Sequence, residues 1–307
     1  MRLIVLGAAA GGGFPQWNCN CETCREAWAG AAPAQTQAAL AVSADGERWV
    51  LLNAPPDLRA QVLATPALQP RHPGRDSPIA AVVLTNGDVD ALAGLLTLRE
   101  SWPLSLYATP SVLDVLAANS IFNVLGPEHV ARRKLALGVP LALSARDGTP
   151  LGLSVEAFSV PGKPALYLED AAIERRLAER SENTIGLAIS APESGKRFYY
   201  VPGCAALDDE LAARLRHAPL LFFDGTLWRD DEMIRAGLGA KTGRRMGHLS
   251  LSGAEGSLAA LAPLGIGRKL FIHINNTNPI LRPGSAERQA VEAAGWEVAR
   301  DGLEIVL

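Results

Sequence analysis

The sequence predicts an α/β fold in which helices lie outside paired β-sheets. Two observations lead to this prediction. Short apolar runs alternate along the chain with longer segments of helical periodicity. The 307 residues contain no internal repeat, low-complexity tract or Ser/Gly linker, so one large core fits better than two separable ones. We therefore predict a single domain over residues 1–307.

Ten segments are predicted as β-strands. The early ones are mostly short runs rich in Val, Ile and Leu, bounded by Gly, Pro, Asn or Asp. The apolar run that ends at Leu6 is too short for the core of a signal peptide, so it is predicted as the first buried strand. The predicted strands are 2–7, 38–43, 49–53, 80–85, 104–108, 186–190, 197–201, 220–224, 269–273 and 304–307.

Six segments are predicted as helices. Ser252 and Ser285 stand where the N-caps of the last two would be expected. Residues 168–182 are dense in acidic residues and arginine, and we predict an exposed insertion there. The predicted helices are 56–65, 89–100, 111–120, 205–217, 254–262 and 286–294.

Composition and charge restrict the function. The formal net charge of −3 provides no basic footprint, which argues against nucleic-acid binding. No stretch reaches the roughly 18 apolar residues that a membrane span needs. We therefore expect a cytoplasmic protein, in which thiols stay reduced.

Three of the four cysteines form one compact motif, Cys19-x-Cys21-x-x-Cys24. Three neighbouring thiols cannot all pair with one another, and a reducing compartment gives them little reason to oxidise. Thiolates are soft ligands, and structural zinc sites take four N or S donors. The motif therefore predicts a structural zinc ion whose fourth ligand comes from elsewhere in the chain.

A second informative segment is 83–96, where an apolar strand ends at Thr85 and a helix begins. Asn86, Asp88 and Asp90 are polar at alternate positions. Side chains that alternate beyond the carboxyl end of a strand enter one cleft, where α/β proteins place their sites. The other interpretation is structural, because carboxylates near a helix N-terminus cap the helix and interact favourably with its dipole.

This segment resembles the metal loop of the metallo-β-lactamase superfamily, His-x-His-x-Asp-His. Asp90 matches the aspartate of that motif, while Asn86, Asp88 and Ala91 replace its three histidines. Further matches cover nearly the whole chain, and together they closely resemble the pyrroloquinoline quinone (PQQ) biosynthesis protein B family. They are the glycine-rich opening with the cysteine motif, 51–59, 94–100, 160–164, 223–226, 246–250 and 273–279.

The resemblance implies a metallo-β-lactamase-like αββα sandwich. It also shows departures from the superfamily, which usually has a histidine near Gly162 and a metal-bridging aspartate at Gly203. The quinone-biosynthesis family generally lacks those two but commonly keeps a histidine where this chain has Ala91. Too few ligands remain for a standard dinuclear zinc hydrolase.

The remaining candidates for a cleft metal are Asp88, Asp90, His248 and His273, with Asp224 as an outer candidate. Two carboxylates and two imidazoles resemble the arrangement of non-haem Fe(II) oxygenases. Asp90, His248 and His273 are the predicted catalytic residues. His248, in a Gly-His-Leu-Ser segment, is also compatible with a histidine that bonds only to backbone.

His273 has two candidate roles. It could complete the cysteine site as the fourth zinc ligand, or it could face the cleft. Asn276, three residues later, is a less usual zinc ligand but would free His273 for the cleft. The sequence leaves this choice open.

The family implies an acidic ligand. Lys163 and Asp224 are the residues predicted to contact the bound cofactor or its precursor, and Arg99, Arg244 and Arg245 are further cations that could meet carboxylates. A lysine in a Pro-Gly-Lys-Pro loop is equally typical of a solvated surface.

Two functions are consistent with these observations. The resemblance implies a step in PQQ formation, namely iron- and oxygen-dependent hydroxylation of the tyrosine ring in a Glu-Tyr unit cut from a precursor peptide. The alternative is a carrier that binds PQQ or a small-molecule or dipeptide precursor without turnover and takes part in its transport, and Ala91 favours it. A phosphodiesterase is favoured only by the cysteine motif. A homo-oligomer is left open.

Overall fold

The computed structural model describes residues 1–169 and 180–307. Residues 170–179 of the predicted insertion lie outside the described residues. Fourteen strands of the described chain form two sheets of seven strands each. No helix in these two ranges is long and apolar enough to cross a membrane.

The first sheet has the strand order β14-β1-β2-β3-β4-β5-β6. Strands β14, β1, β2 and β3 pair antiparallel, whereas β3 to β6 are parallel. The bounds are Arg2–Gly7 (β1), Ala39–Ser43 (β2), Trp49–Leu52 (β3), Ile79–Val83 (β4), Leu104–Ala108 (β5), Val130–Lys134 (β6) and Glu304–Val306 (β14).

The second sheet has the order β13-β12-β11-β10-β9-β8-β7 and the same division, with β7 to β10 antiparallel and β10 to β13 parallel. The bounds are Leu141–Ser144 (β7), Pro150–Pro161 (β8), Arg180–Ala191 (β9), Lys196–Val201 (β10), Leu220–Asp224 (β11), Arg268–Ile272 (β12) and Glu297–Val298 (β13).

The helices of the described chain are short, and most of them pack on the outer faces of the two sheets. They are Glu22–Trp28 (α1), Leu58–Ala64 (α2), Val89–Leu92 (α3), Pro110–Ala118 (α4), Asp209–Leu215 (α5), Glu232–Arg235 (α6), Gly243–Met246 (α7), Ser257–Leu261 (α8) and Ala286–Ala293 (α9). Single 3₁₀ segments occur at Pro66–Leu68, Ala93–Leu98, Ser120–Val124, Leu166–Leu168, Ala262–Leu264 and Pro279–Leu281.

Three apolar clusters make this a four-layer αββα sandwich. The inward faces of the two sheets form the central core, in which Val5 and Leu40 of the first sheet share a cluster with Leu187 and Phe222 of the second. A second cluster joins the outer face of the first sheet to α2 and α4, and a third joins the outer face of the second sheet to α1, α5, α8 and α9. The predicted architecture is therefore confirmed.

The predictions of strands 2–7, 104–108 and 220–224 are confirmed to the residue. Strands β6, β7 and β8 were not predicted, and 186–190 is only part of β9. In β8 the buried residues alternate with exposed Gly152 and half-buried Ser154 and Glu156, so no continuous apolar run marks the strand. Helix α1, which follows the first two cysteines, was also missed.

The predicted helix 89–100 is wrong beyond Leu92. The Gly94 amide donates to Ala54 O at 2.8 Å, and a Cβ on Gly94 would stand 2.0 Å from Pro55 O, so the backbone turns to 3₁₀ geometry against that loop. Ser285 caps α9 as predicted, accepting from Arg288 N. The N-cap predicted at Ser252 is wrong, because its hydroxyl donates to Trp228 O at 2.6 Å and α8 begins after Gly256.

Candidate metal centre and ligand cleft

The cysteine motif folds into a compact cluster of thiols. Cys21 is the N-cap of α1 and Cys24 lies in its first turn, which brings their sulfurs together on one side of the helix start. Cys19 precedes them in the loop, and Trp28 Nε1 donates to its carbonyl at 3.1 Å. The three sulfurs lie within 4.8 Å of one another.

Asn276, in the loop after β12, faces this cluster and is 4% exposed. Its Nδ2 lies 3.1 Å from Cys19 Sγ, 3.2 Å from Cys24 Sγ and 3.9 Å from Cys21 Sγ. An amide carries an oxygen and a nitrogen in nearly the same shape, so a half-turn about χ2 presents Oδ1 to the sulfurs instead.

The cluster fits a zinc ion. Tetrahedral zinc with sulfur at about 2.3 Å separates its sulfurs by about 3.8 Å, so these thiols, within 4.8 Å of one another, would approach by at most about 1 Å around the metal. Burial and the neighbouring Cys19 and Cys24 raise the pKa of Cys21 to about 12. A second and third thiolate in this position therefore need a cation beside them.

The cleft begins where the first sheet ends. Asn53, after β3, adopts the left-handed conformation with φ of 66° and accepts from Thr85 N at 2.9 Å. This contact holds the chain beyond β4 so that residues 86–90 cross the carboxyl ends of the strands. Asn86 Oδ1 then accepts from Asp88 N at 2.9 Å.

Asp224 and His248 form the first of two Asp–His pairs. Asp224 ends β11 and is fully buried, and its Oδ2 lies 2.7 Å from His248 Nδ1. Its carboxylate also accepts from Cys204 N at 2.9 Å and from Thr226 N at 3.0 Å. His248 follows α7, which ends at the left-handed Gly247. The rigid carboxylate therefore orients the imidazole.

His273 and Asp90 form the second pair. His273 directly follows β12 with a positive φ of 59°, and its Nε2 lies 2.9 Å from Asp90 Oδ2. Burial opposes the charge on both groups, but their hydrogen bond prevails. It raises the pKa of His273 and lowers the pKa of Asp90. The contact therefore favours the charged form of both groups in the metal-free protein.

Thr226 connects the two pairs. Its Oγ1 lies 2.6 Å from Asp224 Oδ1, 2.9 Å from His273 Nδ1 and 3.0 Å from His248 Nδ1. A hydroxyl has one proton, which the shortest contact assigns to Asp224, so Oγ1 accepts from Nδ1–H of His273. His248 Nδ1–H then donates to Asp224, which leaves His248 Nε2 as an acceptor. Sequence reasoning gave Thr226 no role, although it lies two residues beyond a strand-end aspartate.

The opposite wall carries Asp88 and a short 3₁₀ segment. Asp88 Oδ1 accepts from Leu166 N at 3.0 Å, and Tyr167 Oη donates to Gly87 O at 2.6 Å. Burial raises the pKa of Asp88, and the charge of Asp90 adds to this. Among the described residues, the clustered candidate ligands of the cleft are Asp224, His248 and His273. Neither Asp88 nor Asp90 belongs to that cluster, and Asp90 joins it only through its contact with His273.

Lys163 contributes to the same wall and contacts Glu169. Its Nζ lies 3.1 Å from Glu169 Oε1, while Lys241 Nζ and Arg245 Nη1 each lie 3.1 Å from Glu169 Oε2. Burial alone would raise the pKa of Glu169, but these three cations lower it. Arg244 instead lies 3.5 Å from Glu255 on the surface, and Arg99 is exposed beside Glu100.

These side chains surround a cavity of about 650 Å³. This volume suits a small molecule or a dipeptide. Its polar lining combines imidazoles and carboxylates at one side with lysines at another. The lining residues that carry chemistry are Asn53, Asn86, Asp88, Asp90, Lys163, Glu169, Thr226, Lys241, His248, His273 and Asn275.

The departures noted in the sequence have structural counterparts. A Cβ at Gly162 would stand 2.9 Å from Thr184 Cβ, so no side chain fits there without displacing that strand. A Cβ at Gly203 would stand 3.6 Å from His248 Cε1, and Ala91, the neighbour of Asp90 in sequence, is a buried residue of the cavity lining. The cavity wall therefore lacks a donor at both positions. Among the described residues, the cleft holds one cluster of candidate metal ligands.

The chain matches known proteins over its whole length. A family model described as the β-lactamase superfamily domain matches residues 48–274. The chain is 54% identical to coenzyme PQQ synthesis protein B of Rhodopseudomonas palustris (strain TIE-1), covering 100% of both sequences. It is 56% identical to the Gluconacetobacter diazotrophicus protein of the same name, covering 99% of this chain and 98% of the relative.

Solved structures agree with this. The crystal structure of Zn(2+)-bound PqqB from Methylobacterium extorquens is 52% identical, covers 100% of both chains and superposes with a TM-score of 0.94. A diphosphatase from the PhnP family is 19% identical, with a TM-score of 0.67 over 100% of this chain and 97% of that one, and it shares the fold alone.

Proposed function

The chain belongs to the coenzyme PQQ synthesis protein B family, within the β-lactamase superfamily, and on this premise we propose that it hydroxylates the tyrosine ring of a Glu-Tyr precursor of PQQ. The supporting observation is the joint arrangement of Asp90, His248 and His273 at the base of a cavity large enough for a dipeptide. Membership of the family supports a role in PQQ formation, and the set of metal donors supports an iron- and oxygen-dependent hydroxylation.

The donor set suits iron(II). Asp90, His248 and His273 would hold it, because two imidazoles and one carboxylate leave coordination positions open. Bound there, iron would supply oxygen activation. Asp224 and Thr226 orient the imidazoles of His248 and His273 by contacting their Nδ1 atoms. The Nε2 atom of each imidazole is then the one that would coordinate the metal.

The remaining residues position the substrate. Asp88 and Tyr167 hold the Leu166–Leu168 segment over the cleft and so restrict water. Lys163 presents a cation toward the carboxylates of an acidic substrate. Metal binding requires His273 Nε2 to lose the proton that it donates to Asp90 in the metal-free protein.

The first test is metal content per chain, measured by elemental analysis before and after anaerobic iron loading, on the wild type and Asp90→Ala. We expect one zinc in both proteins and one iron in the wild type only. Oxygen uptake with a Glu-Tyr peptide then follows, with ascorbate as the two-electron reductant that hydroxylation by O₂ requires. Zinc alone in the loaded wild type would contradict the oxygenase proposal.

A carrier of PQQ or its precursor is the second candidate, and Ala91 favours it because the cleft lacks a ligand at that position. In this case the cavity binds PQQ tightly, Asp90→Ala leaves that binding unchanged, and no oxygen is consumed. Equilibrium titration with PQQ beside the oxygen-uptake assay separates the two candidates.

We also propose a structural zinc ion on Cys19, Cys21, Cys24 and Asn276. The approach of Asn276 to all three sulfurs supports this ligand set, and the position of His273 beside Asp90 supports its separate role in the cleft. Since zinc would tie the N-terminal loop to the loop after β12, it would stabilise the fold. We propose that the protein is cytoplasmic. We also propose that it forms a single domain, which the pairing of its first and last strands, β1 and β14, supports.

A further inference from the structure

Three cations converge on one carboxylate at the edge of the cleft. Lys163, Lys241 and Arg245 each lie 3.1 Å from an oxygen of Glu169, whose side chain is only 10% exposed. Lys163 follows β8, whereas Lys241 and Arg245 come from the segment around α7, more than 70 residues from Glu169 in sequence. Because no local pattern requires this contact, the tertiary fold assembles the cationic cluster.

We propose that Lys163, Lys241 and Arg245 form a carboxylate-binding site for the ligand of the cleft, and that Glu169 occupies it as an internal competitor. The assignment rests on the proposed function, because it takes the ligand to be an acidic intermediate of PQQ formation. In the ligand-free protein the Glu169 carboxylate contacts the three cations, and a carboxylate of a bound ligand with two or more such groups displaces it.

The cavity lining favours this orientation. Lys163, Lys241 and Glu169 line the same cavity as His248 and His273. The other acidic side chains in the described lining are Asp88 and Asp90, which repel a ligand carboxylate. An acidic ligand is therefore expected to place its carboxylates at the lysines and to present its opposite end to the imidazoles.

The cluster also has the chemistry that carboxylates select. Arginine offers paired N–H donors and lysine a compact charge, and hydrogen bonds between charged groups are the stronger ones. Lys163 and Arg245 are partly withdrawn from water, with side chains 11% and 22% exposed, so their attraction is weakly screened. The Lys241 side chain is 41% exposed, so the cluster is only partly withdrawn from water, and Glu169 supplies an anion to it when no ligand is bound.

The experiment is isothermal titration of the zinc-containing protein with PQQ, which carries three carboxylates, and with its uncharged trimethyl ester. The variants are Glu169→Gln, which keeps the side-chain shape, and Lys241→Met, with Arg245→Gln as the second cation variant should Lys241→Met fail to fold. Glu193→Gln and Lys196→Met are matched controls, because Glu193 is exposed in the turn before β10 and Lys196 is exposed at the start of that strand. Thermal melts verify that each variant is folded.

Removal of the competitor should tighten PQQ binding, and removal of a cation should weaken it, each by about tenfold. The trimethyl ester should bind wild type and Glu169→Gln equally, and both controls should match the wild type. The proposal would be overturned if Glu169→Gln bound PQQ with an affinity equal to or weaker than that of the wild type. It would also be overturned if the cation variant bound PQQ as tightly as the wild type, or if neither the wild type nor Glu169→Gln bound PQQ.

Oxygen uptake is scored separately. PQQ affinities in the expected order without oxygen uptake would support the carboxylate-binding site and contradict the oxygenase proposal. Oxygen uptake by the wild type with PQQ affinities unchanged across the variants would support the oxygenase proposal and contradict the carboxylate-binding site.

Discussion

Thr226→Val removes the hydroxyl that joins the two Asp–His pairs and keeps the side-chain volume. Thr226 is 4% exposed, so water cannot readily replace the lost partner. The variant deprives Asp224 Oδ1 of its 2.6 Å donor and His273 Nδ1 of its 2.9 Å acceptor. Asp224 keeps the Thr226 backbone N–H, Cys204 N and His248 as partners.

Each buried polar group left without a partner costs about 1–3 kcal/mol. Two such groups, of which one belongs to a carboxylate with remaining donors, predict a loss of about 2–4 kcal/mol in the free energy of unfolding. Urea unfolding of the metal-free protein measures this loss. Thr226→Ser is the matched control, because it keeps the hydroxyl and removes only a methyl group, at a cost of about 1 kcal/mol.

The reasoning would be refuted if Thr226→Val unfolded within about 0.5 kcal/mol of the wild type, a difference typical of surface substitutions. It would also be refuted if Thr226→Ser lost as much stability as Thr226→Val. In that case the methyl group, and not the hydroxyl network, would hold the cleft together.

Three further predictions concern the metals and pH. Asn276→Ala should weaken zinc binding about tenfold or more, measured by competition with a chromophoric chelator, while Asn276→Asp retains it; equal affinities would exclude the amide as a ligand. Ala91→His should raise the iron content of the loaded protein, because it adds a donor to the cavity lining next to Asp90; unchanged iron by elemental analysis would contradict this prediction. Burial raises the pKa of Asp301 to about 6, so the folded state binds more protons than the unfolded chain between about pH 4 and 6, and stability falls as pH rises through this range. The free energy of unfolding of Asp301→Asn should therefore rise relative to that of the wild type by at most about 3 kcal/mol between pH 4 and pH 7, measured by urea unfolding. A difference between the two proteins that does not change with pH would refute this assignment.

The architecture could be predicted from sequence because its signals are local. A buried strand such as β5 or β11 is a short apolar run between polar residues, and that pattern needs no knowledge of its neighbours. Strand β8 lacked such a run because half of it faces away from the core. The helix over 89–100 ended early because Gly94 meets the loop at Pro55, a contact between residues far apart in sequence.

The candidate site divides in the same way. The sequence by itself determined the family and the cysteine motif, and it singled out Asp90 and His273 as candidates, because residue type and spacing are properties of short motifs. Only the tertiary structure placed Asn276 against the sulfurs, made Thr226 the connection between two imidazoles, and set Glu169 among three cations. These contacts depend on distances between separate elements, and such distances are decided by the packing of two sheets and not by any one segment.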